Sequence, residues 1–448
     1  MDREIFELIE TKRYGKLKDI FSQMNAADLA AVFIDVEMRD VIILFRILPK
    51  ELAAELFVEM EKDMRKELIL AFSDKELREV LSDLFMDDTV DIIEEMPAVV
   101  AKRILTQTNP DDRKMINQLL AYPEDSAGSI MTTEYVELRR DMTVAQAFDK
   151  IRRTGTDKET IYTCYVIDAS RHLTGIISAK TLLLSAGDAI IGDIMEENII
   201  SAATLDHKED VAQLFDKYDL LALPVVDKEN RLVGIVTVDD AIDVIQEAAT
   251  EDMEKMAAIT PSDKAYLQTG VFETFKARIP WLCLLMISAT LTGLVISSFE
   301  SALSAVAVLT TFIPMLMGTG GNSGSQASVT VTRSLSLGDI SFRDIFQVIW
   351  KECRVALLCG FALSILNFIK ILAFDRLYNP DINLIIAVIV SIALFLTVVI
   401  AKLIGCSLPI IAKKLGFDPA VMASPFITTI VDAISLILYF VIAKQFLF

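Results

Sequence analysis

Apolar positions change their period three times along the chain. Over residues 1–126 they recur at three and four, as in Leu29, Val32, Phe33 and Val36, and again in Leu77, Val80, Leu81 and Leu84. That spacing places them on one face of a helix. Asp28-Leu29, Glu51-Leu52 and Glu76-Leu77 open helices of similar length 23 to 25 residues apart, and Pro49, Pro97, Pro110 and Pro123 punctuate the run. The pattern predicts stacked helical hairpins, a small solenoid.

Over 127–245 the period falls to two. Tyr165-Val166-Ile167-Asp168 leads seven residues on to Gly175-Ile176-Ile177-Ser178. Pro224-Val225-Val226-Asp227 leads to Gly234-Ile235-Val236-Thr237, a near-copy 59 residues later. The copies open at comparable points, Ile130-Met131-Thr132 and Ile194-Met195-Glu196. Strand, turn, strand and helix are predicted for each. A charged helix with Glu247, Glu251, Asp252 and Glu254 is predicted over 246–268, closing near Gly270.

Five apolar runs follow, at about 281–298, 303–331, 355–374, 384–412 and 421–448, each long enough to cross a bilayer. Basic residues crowd the loop with Arg333, Arg343, Lys351 and Arg354 and the loop with Lys413 and Lys414. Positive loops stay inside, so the soluble part is expected in the cytoplasm and the C-terminus outside. The second run is rich in glycine (Gly318, Gly320, Gly321, Gly324) and carries Asn322 and Gln326 four apart. Close helix packing accounts for the glycines but not for two amides on one face. The last run has one charge in its interior, Asp432. A carboxylate at that depth costs about 3 kcal/mol unless it meets water, an ion or a partner. Thr428 lies one turn before it, and Pro425 is expected to free a carbonyl near the same face. An all-oxygen lining suits a hard cation such as Mg2+ or Ca2+. The alternative is a buried Asp paired with Lys402.

Charge sharpens the division. The 448 residues carry a net charge of -20, yet 271–448 hold 12 Lys+Arg against 9 Asp+Glu. Residues 1–270 hold 31 against 54, a net of -23. That surface repels nucleic acid and anionic lipid and attracts divalent cations. The five cysteines include no CxxC pair, and His172 and His207 have no Cys or His neighbours at zinc-ligand spacing, so the pattern does not predict a tetrahedral zinc site. The charged start M-D-R-E is not a cleavable signal peptide. No P-loop is present, so transport would be passive.

The two alternating copies resemble a tandem pair of CBS domains, regulatory modules that dimerise and often bind adenine nucleotides. Thr237 and Asp240 stand where nucleotide-binding CBS domains contact phosphate and ribose; the first copy has Lys180 and Thr181 where the second has Asp239 and Asp240. Gly321-Asn322-x-Gly324-x-Gln326 after Pro314, Arg278-x-x-Trp281, the P-F-I-T-T-x-x-D run at 425–432 and Thr250-Glu251-Asp252 together resemble the MgtE family of magnesium channels. The resemblance covers the whole chain. It implies a multidomain membrane protein, with an all-α superhelical N domain (1–126), an α/β tandem CBS pair (127–245), a long connecting or plug helix (246–270) and a five-helix transmembrane domain (271–448). It implies no enzyme, but a homodimer in the cell membrane whose two-fold pore is lined by the second and fifth helices. Mg2+ is then both substrate and regulator, and the CBS resemblance at Thr237 and Asp240 makes ATP a candidate regulatory ligand.

By the same resemblance Asp432 is the central pore carboxylate and Asp418 sits at the cytoplasmic mouth. Glu55, Asp87 and Asp91 are N-domain ligands of Mg2+ sensor sites. Asp216, Asp219, Asp240 and Asp243 are those of the CBS pair, and Glu247, Glu251 and Asp252 those of the connecting helix. Ala248 and Ser435 depart from the family pattern, which has an acidic residue and a glycine there. Transport of Mn2+ or Co2+, or a membrane-anchored CBS sensor without transport, are the competing readings.

Overall fold

The structure, a computed structural model, describes residues 2–262, 266, 269–299, 306–422 and 424–447. It divides into two compact units, residues 1–245 and 246–448.

The first unit begins with ten short helices: α1 (Asp2–Glu10), α2 (Tyr14–Phe21), α3 (Ala26–Ile34), α4 (Met38–Ile47), α5 (Lys50–Glu59), α6 (Lys62–Ala71), α7 (Asp74–Leu81), α8 (Met86–Glu95), α9 (Ala98–Gln107) and α10 (Pro110–Leu119). Alternate helices pack on one another, α3 on α5, α5 on α7 and α7 on α9, with α2 on α4 and α4 on α6 behind them. This is the stacking that the 23- to 25-residue spacing predicts. Pro49 and Pro97 sit at N-caps and Pro110 at the first helical position, where a missing N–H is harmless. Leu29, Phe33, Leu77 and Leu81 are buried in the shared core.

Two three-stranded sheets follow, with helices α11 (Val144–Thr154), α12 (Ala179–Leu184), α13 (Ile191–Ile194) and α14 (Lys208–Tyr218) among their strands in the chain. The first has order β1 (Glu137–Arg139), β2 (Thr163–Ile167), β3 (Leu173–Ser178); the second has β4 (Ala202–Ala203), β5 (Ala222–Val226), β6 (Leu232–Thr237). In each, a parallel pair is followed by an antiparallel hairpin. The opening segments cross over: Thr132 bridges to Ile235 of the second hairpin, and Glu196 bridges to Ile176 of the first. The glycine of each hairpin makes room for this. A Cβ on Gly234 would lie 2.7 Å from the Thr132 carbonyl oxygen, and one on Gly175 would collide with Met195.

Helix α15 (Val238–Met256) starts in the second copy, and its last turns belong to the second unit. The connecting helix expected over 246–268 is therefore shifted at both ends. It begins early because Thr237 and Asp240 cap its first turn. It ends early in a Schellman closure: Ile259 N–H bonds the Glu254 carbonyl, Ala258 N–H bonds the Lys255 carbonyl, and Ala258 takes φ 54°. Residues 263–265, 267 and 268 of that expectation lie outside the described residues.

The second unit continues with α16 (Val271–Ser298), α17 (Ile313–Ser336), α18 (Ile345–Lys370), α19 (Leu384–Lys414) and α20 (Ser424–Leu447). Helix α19 is the most buried, with α17 and α18 against it and α20 against α17 and α16. Trp281 of α16 stacks edge-on against Phe426 of α20 at 6.3 Å. Four helices among the described residues are long and apolar enough to cross a membrane: α16, α18 with its flanks (Phe342–Tyr378), α19, and α20. Helix α17 has the length but falls short in hydropathy, because glycines, Asn322, Gln326 and hydroxyls interrupt it. Of the second apolar run, 303–305 lie outside the described residues, and Ala307–Phe312 form a 3-10 turn before α17.

Candidate functional site

In the second unit the two faces of α17 divide the labour that its sequence left ambiguous. Gly320, Gly321 and Gly324 are buried. A Cβ on Gly321 would stand 3.0 Å from Thr428 Cγ2, and one on Gly324 would stand 2.7 Å from Ile427 Cγ2. A Cβ on Gly405 of α19 would collide with the Gly324 carbonyl. These glycines serve close packing. Gly318, Asn322, Gln326 and Thr330, a row at four-residue spacing, are exposed instead.

Asp432 lies in the third turn of α20, nearer the helix start than the sequence pattern suggests, because the helix opens at Ser424. Its side chain has no hydrogen bond or ion pair among the described residues. Lys402, its alternative partner, is buried on α19 with Nζ 4.0 Å from Glu352. Pro425 stands in the first turn of α20 rather than breaking it, so its missing N–H frees no helix-interior carbonyl. The Pro425 carbonyl accepts from both Thr428 Oγ1 (2.9 Å) and Thr429 Oγ1 (3.1 Å). With its proton donated there, the Thr428 oxygen keeps its lone pairs for another partner.

Asp418, in the loop before α20, accepts from the Ala420 N–H at 2.8 Å and from Lys255 Nζ at 2.6 Å. Lys255 Nζ is also 2.6 Å from Glu251 Oε1. Asp252 accepts from Ser336 Oγ at 2.7 Å, and burial raises its pKa. Glu247 is exposed on the same helix.

In the first unit a second oxygen-only cluster gathers at the start of α8. Single oxygens of Asp87, Glu134 and Glu159 lie within 4.8 Å of one another. Glu134 accepts from the Met86 N–H that opens α8, at 3.0 Å. Burial, then the neighbouring Asp240, Asp88 and Glu159, push Asp87 well above the usual carboxylate range. Burial and surrounding carboxylates raise Asp91 and Glu159 to about 7, and Asp88 and Asp240 to about 6. Asp240 is held by Thr237, whose hydroxyl donates to Oδ2 at 2.5 Å. In the first copy Ser178 and Thr181 occupy the same cap, 2.9 Å apart.

The cluster thus brings together Asp87, Asp91 and Asp240. Glu134, Glu159 and Asp88 join it without having been singled out in the sequence. Glu134 and Glu159 lie outside the alternating runs that drew attention, and a backbone bond from Glu159 N–H to the Glu134 carbonyl brings them side by side. Asp243 is exposed, its pKa raised by partial desolvation and by Asp239. Asp216 and Asp219 are exposed at the end of helix Lys208–Tyr218, and Glu55 is exposed on α5.

Three family descriptions match: the MgtE intracellular N domain over 7–125, the CBS domain over 127–187 and 191–247, and a divalent cation transporter description, MgtE, over 313–442. The magnesium transporter MgtE of Thermus thermophilus is 34% identical over 96% of this chain and 95% of its own length. The chain belongs to the MgtE family. The magnesium transporter MgtE of Bacillus subtilis is 33% identical over 100% of this chain and 98% of its own. A crystal structure of the cytosolic domain of the Mg2+ channel MgtE in complex with ATP is 33% identical, with TM-score 0.52, over 55% of this chain and 100% of that one. The chain is thus a membrane protein with a helical N domain, a CBS pair and apolar C-terminal helices. Its MgtE relatives are named transporters rather than enzymes.

Proposed function

We propose that this MgtE protein is a passive Mg2+ channel, a homodimer whose pore runs between α17 and α20 of two copies. The observation that carries the reading is Asp432: an intramembrane carboxylate with no partner among the described residues, on the helix that packs against α17, while Lys402 is committed to Glu352. Such a group calls for a cation. The exposed row Gly318, Asn322, Gln326 and Thr330 supplies amide and hydroxyl oxygens at membrane depth, where contact with lipid would be costly. The MgtE relatives named magnesium transporters support Mg2+ as the cargo. The ion would move down its gradient and the membrane potential, worth about 2.3 kcal/mol per charge per 100 mV.

The carboxylates of the first unit form the regulatory centre in this reading. Asp87, Glu134, Glu159 and Asp240 are hard, half-buried oxygen donors, with the more exposed Asp91 beside them, and they lack enough positive neighbours, a donor set suited to Mg2+. Glu55, Asp216, Asp219, Asp243 and Glu247 would add weaker, exposed contacts, and Glu251, Asp252 and Asp418 would act at the connecting helix. Metal bound there would favour a closed form. ATP at Thr237 and Asp240 is a further regulatory ligand, supported by the ATP-bound relative. The N-terminal domains face the cytoplasm and, with five spans, the C-terminus faces outward.

The test is Mg2+ uptake by liposomes that contain the purified protein. Asp432→Ala should abolish flux or divalent selectivity while the elution profile stays that of wild type. Wild-type flux with wild-type selectivity in this variant would refute the pore assignment. Mn2+ and Co2+ in the same assay decide between the cargo ions, and no flux of any divalent ion would leave the sensor reading.

A further inference from the structure

The last turns of α15 are held to the rest of the second unit at two points by different chemistry. Asp252 accepts a hydrogen bond from Ser336, the last residue of α17. Lys255, one turn on, inserts its ammonium between Glu251 of its own helix and Asp418 of the loop before α20, 2.6 Å from each. The helix then stops at once, with the Glu254 carboxylate accepting from the Ser262 N–H and the Thr260 N–H bonded to the Ala277 carbonyl of α16. Glu251, Asp252 and Asp418 bring three negative charges to this spot, and Lys255 is the cation among them. Its side chain is 22% exposed. Burial lowers its proton affinity, but the hydrogen bonds to Asp418 and Glu251 outweigh that and raise it.

We propose that Lys255 is a positioning residue of the gate, a built-in counter-ion that fastens the connecting helix to the Asp418 loop without bound metal. It deepens the gating reading above. In that reading every acidic contact of the connecting helix depends on Mg2+. Here the Asp418 contact, like the Asp252–Ser336 bond, is made by the chain itself, so Mg2+ adds to a tether that already exists. An ammonium carries one charge where a dication carries two. The tether therefore offsets part of the repulsion and leaves the remainder for metal to neutralise.

The experiment separates the tether from transport. Full-length protein in detergent with chelator is digested, and cleavage between residues 246 and 262 is timed. Lys255→Met should be cut at least about threefold faster than wild type, as expected for loss of a partly buried ion pair. Lys255→Arg should restore protection. The charge-swapped pair K255D/D418K should recover protection that either substitution alone loses, which a fold defect would not do. In the flux assay Lys255→Met should need more Mg2+ to close. Equal cleavage of wild type and Lys255→Met without metal overturns the proposal. So does a fall in the Mg2+ needed for closure, because the ammonium would then be competing with metal rather than holding the helix. Loss of Mg2+ closure in wild type would sink the gating reading and leave the metal-free comparison valid.

Discussion

Lys402 and Asp432 are the two charges whose partners the sequence could not decide. Both lie in apolar helices, and pairing them was the alternative to an ion path. The structure gives Lys402 to Glu352 and leaves Asp432 open among the described residues. The reason is rotational: one residue of error in helix phase turns a side chain by about 100 degrees, and the apolar runs have too few polar marks to fix that phase. Asn322 and Gln326 were legible as a shared face from their spacing of four, but whether that face was buried was not. The glycines settle it, since α17 must turn Gly320, Gly321 and Gly324 inward to pack against α19 and α20. Gly405 gives a direct test of that packing. A methyl there meets the Gly324 carbonyl, and backbone cannot yield as a side-chain tip can. Gly405→Ala should destabilise the protein by about 1–3 kcal/mol, seen as a lower thermal midpoint in detergent. Gly293→Ala on α16, with open space around the site, should leave the midpoint near wild type.

At the scale of elements, the solenoid and the two hairpins were readable because repetition carried them. The 23- to 25-residue spacing marked the helices, and seven residues from Asp to Gly marked each hairpin. The crossing of the opening segments was not readable, because each pairs with the other copy's hairpin, across 20 residues of chain in one case and 103 in the other. The same non-local pairing hid Glu134 and Glu159 from the candidate site. Their carboxylates now sit with Asp87 at the start of α8, where crowding sets a pH dependence. Burial and like charge raise Asp91 and Glu159 to about 7, and Asp88 and Asp240 to about 6, in the folded state. A raised folded pKa means that folding holds the proton more tightly than the unfolded chain does. That stabilisation is complete below about pH 4 for these groups and fades as pH rises through 6 and 7. Metal-free protein should thus lose stability in this region between pH 5 and pH 8. Mg2+ should restore more at pH 8, where the carboxylates are ionised, than at pH 5.5. Thermal melts at the two pH values with and without 10 mM Mg2+ check this, and an equal Mg2+ increment at both would contradict it. Glu159→Gln should flatten the metal-free slope and reduce the Mg2+ increment together.

At the scale of the whole molecule, the strongest expectation concerns a second copy. One chain offers a single Asp432, and a dication held by oxygen takes six or more ligands, with water supplying those that protein does not. A two-fold axis beside α17 and α20 would double the carboxylate and bring two rows of Asn322 and Gln326 together. It would also cover the exposed polar row on α17, which an isolated chain would turn toward lipid. Light scattering in detergent, with the detergent mass subtracted, should give twice the 49.8 kDa of one chain. Cross-linking locates the axis. In a background where Cys164, Cys283, Cys353, Cys359 and Cys406 are replaced, Asn322→Cys should form a disulfide-linked dimer on mild oxidation in membranes. Leu358→Cys, on α18 and 75% exposed, should stay monomeric under the same treatment. Both positions are open in a single chain, so exposure alone does not separate them; only the position of the axis does. Cross-linking at 358 without cross-linking at 322 would move the axis away from α17, and with it the pore assignment. A monomer that conducts Mg2+ would remove the need for the axis altogether.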